Sequence, residues 1–65
     1  MTDAETRLEA EALIVDFFDG DIEKSSLWWK TGNPIFGHCV PTLVATIRGW
    51  QYVLDMIRTE LKENE

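Results

Sequence analysis

His38 and Cys39 are the one adjacent pair in this chain with side chains suited to metal ligation or nucleophilic catalysis. A structural zinc site needs four ligands, and no second His or Cys exists to complete a set. A Cys–His catalytic pair needs the two groups opposed in space with a third group orienting the imidazole, whereas neighbours on an extended loop point apart. The pair therefore reads as a small buried thiol beside a loop imidazole. The carboxylates between residues 3 and 23 invite an acid/base reading, yet no pocket-forming feature accompanies them, and a charge-rich helix face is ordinarily just solvated. No Gly-rich phosphate loop follows a strand, because no convincing strand is present. The expectation is a protein that is not an enzyme and uses neither metal nor cofactor. Trp28 and Trp29 are more informative. Neighbours on a helix diverge by about 100°, so one indole belongs to the core and the other to an interface or under the loop. Tryptophan is enriched at binding hot spots, and Trp29 is the interface candidate.

The elements that must position these groups are helical. Thr2 and Glu5 have capping-box spacing, and Leu8, Ala12 and Val15 recur beside Ala10, Leu13, Ile14, Phe17 and Phe18. This predicts a first helix over residues 1–17. Gly20 suits a helix end, and Asp21 suits the N-cap of a second helix from Ile22 to Lys30, with Leu27 and Trp28 facing the core. Pro34 forbids helix at Asn33, so a compact loop with Asn33, Pro34 and Gly37 as turn positions separates helices two and three. Pro41 fits the first turn of a third helix whose apolar side is Leu43, Val44 and Ile47. After Gly49, the residues Trp50, Val53, Leu54, Ile57 and Leu61 form the clearest amphipathic stripe, with Tyr52 and Met56 in a row beside it. Arg58 and Lys62 favour the C-terminal end of that helix through its dipole, and residues from Glu63 onward are expected to fray. The fold class predicted is all-α: one domain over residues 1–65 with about four helices, an acidic first helix over 1–17, a core over 18–57 and a charged tail over 58–65. The apolar face is wider than so small a bundle consumes, which predicts self-association, as a homodimer, or docking in a protein groove.

The chain has 65 residues, 12 acidic and 6 basic, for a net charge of −6. A domain this small buries only about 60% of its unfolded surface, so stability is marginal without help. Three Trp, three Phe, one Tyr and many aliphatic residues argue against disorder. The single Cys39 allows no internal disulfide, and no apolar run approaches the roughly 20 residues a membrane span needs. With no apolar leader after Met1, a cytoplasmic protein is expected. Residues 1–23 hold eight acids against Arg7 alone, whereas residues 24–58 hold Lys24, Lys30, Arg48 and Arg58 against Asp55. The acidic balance disfavours duplex nucleic acid as a direct partner, since such binding neutralises phosphates with Lys and Arg.

The order Lys24, Ser26, Trp28, Asn33-Pro34, Phe36-Gly37, Pro41, Gly49 and Val53 resembles the toxin-binding domain shared by Xre, MbcA and ParS antitoxins. The resemblance runs without a gap from about Phe18 to Ile57. That family typically shows a Lys-Ala pair, an apolar-Gly-Gly turn and a Ser or Thr at the following helix start, where this chain has Ser25, His38 and Val40. Val40 cannot cap, at a cost of about 1 kcal/mol. Members usually carry an N-terminal helix-turn-helix, in place of which residues 1–17 form one acidic helix. The resemblance implies an inhibitor of a RES-domain toxin, an enzyme of the ADP-ribosyltransferase-like class that consumes NAD. It further implies that the C-terminal helix and tail block NAD at the toxin's active site. On this basis Arg58, Glu60, Lys62 and Glu63 join Trp29 as partner-binding candidates, and Asn33, Pro34, Gly37 and Gly49 are fold-determining turns. The other readings are a small acidic anti-defence protein of phage type, or nucleic-acid mimic, that inhibits a nucleic-acid-binding effector, and a homodimerisation module with no inhibitory role.

Overall fold

In a computed structural model that describes residues 2–63, the Thr2 hydroxyl accepts from the Glu5 backbone N–H at 3.2 Å, and the Glu5 carboxylate accepts in return from the Thr2 N–H at 3.3 Å. This capping box starts α1 (Asp3–Phe17). Left-handed backbone at Asp19 and Gly20 ends the helix and turns the chain. The Asp21 carboxylate then accepts from the Lys24 N–H at 3.1 Å to start α2 (Ile22–Lys30). A single 3₁₀ turn, Pro34–Phe36, leads to α3 (Pro41–Arg48), and Gly49 alone separates α3 from α4 (Trp50–Glu63). At φ +90° and ψ 158° Gly49 occupies backbone space that is essentially closed to other residues. The described residues thus form a small all-α bundle, and no helix among them is long and apolar enough to cross a membrane.

α4 is the central element. Val53, Leu54 and Ile57 are fully or almost fully buried, α1 packs along one side and α3 along another. The inward face of α1 takes only part of the apolar set expected there, Ala10 and Ile14, and adds Thr6. Its buried positions are Thr6, Ala10 and Ile14, spaced by four, while Leu8 stands in solvent. Small residues at Thr6 and Ala10 let the two helix backbones approach closely, which a Leu at those positions would prevent. α2 likewise turns Ser25 and Trp29 inward, and α3 turns Pro41, Val44 and Ala45 inward. Leu27 is 63% exposed and Leu43 and Ile47 are also outward, so three residues expected in the core lie on the surface.

The loop between α2 and α3 is closed by its own backbone. Asn33 N–H donates to the Cys39 carbonyl at 3.1 Å, His38 N–H donates to the Asn33 carbonyl at 2.9 Å, and the Asn33 side chain accepts from Ile35 N–H at 3.0 Å. Gly37 and His38 both adopt left-handed φ, +65° and +67°. Gly32 serves this loop by close approach. A Cβ there would stand 2.4 Å from the His38 carbonyl oxygen, a backbone atom that cannot step aside. Gly32→Ala is therefore expected to cost about 2–3 kcal/mol, the scale of an overpacked site, read as a lowered urea midpoint with unchanged slope. An unshifted midpoint would mean that the loop does not close against residue 32.

Candidate protein-docking surface

Apolar side chains that the core does not consume gather where α1 ends, α2 passes and α4 finishes. Phe17, Trp28, Ile35 and Leu61 line a groove of about 190 Å³ whose floor is Ile14 and Ile57 and whose rim carries Asn33 and Glu60. Beyond Trp28 a second hollow of about 270 Å³ runs between Phe18, Leu27 and Gly32, with Lys24 at its edge. Trp28 and Asn33 belong to both, so the two form one surface. Phe17 is 57% exposed. The half-buried Trp28 is held by edge-on ring contacts, centroid to centroid 4.8 Å from Trp29 and 6.3 Å from Phe36. A large aromatic fixed by its neighbours and open on one side loses little entropy on binding, which is what an interface anchor requires.

This arrangement corrects the assignment of the two tryptophans. Trp29 is the core indole, 6% exposed and 5.4 Å from the Trp50 ring, so it cannot meet a partner as expected. Its indole N–H has no hydrogen-bond partner among the described residues, so packing is what holds it. Trp28, expected inside, takes the open position. The cause lies in the seating of α2 between α1 and α3, which selects the face bearing small Ser25 over the more apolar face bearing Leu27.

The charged candidates are divided. Residues 58–63 are the last turns of α4 and no loose tail; Asn64 and Glu65 lie outside the described residues. The Arg58 guanidinium donates to the Glu9 carboxylate of α1, which turns it away from the groove and ties α4 to α1. Glu60 stands at the groove rim, and Lys62 and Glu63 are exposed. Cys39, expected buried, is an exposed free thiol, and no cluster of three or more His, Cys, Asp or Glu side chains suited to a metal occurs among the described residues.

No family model, curated protein or solved structure matches the chain. Phe17, Leu27, Ile35 and Leu61 were not singled out as contact residues by sequence reasoning. For Phe17 and Leu27 alone there was a general signal, that α1 and α2 each carry more large apolar residues than one helix face can turn inward, and it did not say which of them would be outside.

Proposed function

We propose that this chain is a non-catalytic, protein-binding inhibitor of antitoxin type that docks on a RES-type, NAD-consuming toxin. The observation that carries the proposal is the open apolar groove around Trp28, placed directly against the charged C-terminal turns of α4. Such a surface has an apolar centre and a polar rim, the anatomy of a protein interface. In this reading Phe17, Leu27 and Trp28 supply contact area, while Glu60, Lys62 and Glu63 reach the toxin and obstruct NAD. The local backbone supports the same reading. Two consecutive left-handed residues at Gly37 and His38 are the conformations that an apolar-Gly-Gly turn supplies, and Asn33 anchors that turn. Cytoplasmic residence belongs to the same proposal, since the lone Cys39 suits a reducing compartment.

The test is purification of the tagged full chain from its source cell, with the captured protein assayed for NAD consumption before and after the chain is stripped off. The expected result is a captured enzyme that is silent in the complex and active when released. A chain ending at Ile57 should remain largely helical and lose inhibition. Persistent inhibition by that truncated chain would remove the α4 terminus from the mechanism, and capture of no NAD-consuming enzyme would remove the toxin. The acidic-decoy reading has one observation in its favour: α1 and α4 pack side by side, which brings the carboxylates of both onto neighbouring surface. It would be marked instead by capture of a nucleic-acid-binding protein, weakening steeply with salt.

A further inference from the structure

A second apolar patch lies on α3. Ile47 is 74% exposed and Leu43 54%, and one turn apart they form a ridge along this helix. On one side of the ridge is a groove of about 330 Å³ lined by Phe36, Val44 and Tyr52; on the other is a shallower hollow along Val40, Thr42 and Thr46. Ridge and groove therefore occur side by side on one patch. That is the requirement for an isologous contact, in which each copy inserts its ridge into the groove of the other about a two-fold axis.

Charge points to the same occupant. No Asp or Glu occurs between Lys24 and Leu54, so all 12 acids lie outside the stretch that holds most of α2, the loop and α3, and Glu23 in the first turn of α2 is the acid that comes nearest in sequence on that side. α3 packs on α2 and α4 and makes no substantial contact with acidic α1. Two copies of a chain with net charge −6 repel each other, and contact through α3 is an approach along a helix that carries no carboxylate and that keeps the two α1 helices apart. The nearest cation, Arg48, is stacked over the Tyr52 ring at 5.3 Å and stays at the rim.

We propose that α3 is a self-association surface on which a second copy of this chain docks through Leu43 and Ile47. The groove around Trp28 is left open in each copy, so the dimer presents two partner-binding surfaces. The proposal does not depend on the identity of that partner. An eight-residue helix with its flanks limits the contact to about 500–600 Å² per copy, the low end of specific interfaces, so a reversible, concentration-dependent dimer is expected.

Sedimentation equilibrium of the full chain over a concentration series tests this. The expected result is a monomer–dimer equilibrium that Ile47→Asp weakens at least tenfold and Leu27→Asp leaves unchanged. Added salt should strengthen the dimer, because it screens repulsion without weakening an apolar contact. Circular dichroism checks that each variant stays folded, as substitution at exposed positions predicts. A chain that remains monomeric throughout, an Ile47→Asp variant that dimerises like the parent, or a dimer abolished by Leu27→Asp instead would each overturn the proposal. Capture of the toxin-like partner by Ile47→Asp reports separately on the Trp28 groove.

Discussion

Leu54→Ala is expected to remove a large fraction of the protein's stability. Leu54 is completely buried in the middle of the helix that both α1 and α3 pack against. Truncating a buried Leu costs about 2–5 kcal/mol through lost transfer energy and the cavity left behind. A chain of this length has only about 3–10 kcal/mol in total, by the usual stability per residue. A loss of about 3–4 kcal/mol lowers the thermal midpoint of so small a domain by more than about 12 °C. Thermal unfolding followed at 222 nm by circular dichroism measures it, with Ile47→Ala as the control. That exposed position should shift by under about 1 kcal/mol. Comparable shifts for the two variants would contradict the central place given to α4.

Phe17→Asp is expected to abolish partner binding and leave folding almost intact. The ring is more than half exposed at the groove wall, so the folded monomer forfeits little when it is removed. In a complex the new carboxylate would be desolvated against Trp28 and Leu61, a cost added to the lost aromatic contact. Together these should weaken binding at least about 100-fold, equivalent to about 2.7 kcal/mol. Isothermal titration against the captured partner gives the number. An affinity within threefold of the parent would place the interface elsewhere.

These two variants separate uses of hydrophobicity that the linear sequence does not distinguish. In α4 the stripe Trp50, Val53, Leu54, Ile57 and Leu61 was legible because one face of that helix holds nearly all its large apolar residues, and the central three are its buried positions. α1 and α2 gave no such guide. Apolar residues surround both helices, and the inward face was chosen by close approach, with Thr6, Ala10 and Ser25 at the contacts and Leu8 and Leu27 outside. The interface groove was illegible for the same reason, since its residues looked like core.

What the residues determined alone is local. Capping at Thr2 and Asp21, the helix stop at Gly20, the barrier at Asn33-Pro34 and the break at Gly49 each follow from interactions within a few positions, and these set where the helices begin and end. Which side of each helix is hidden was decided by tertiary structure, because burial depends on how near a neighbouring backbone can come. That choice put Trp29 inside and Trp28 at the surface, paired Arg58 with Glu9 across 49 positions of sequence, and left the apolar surface on which the proposed function rests.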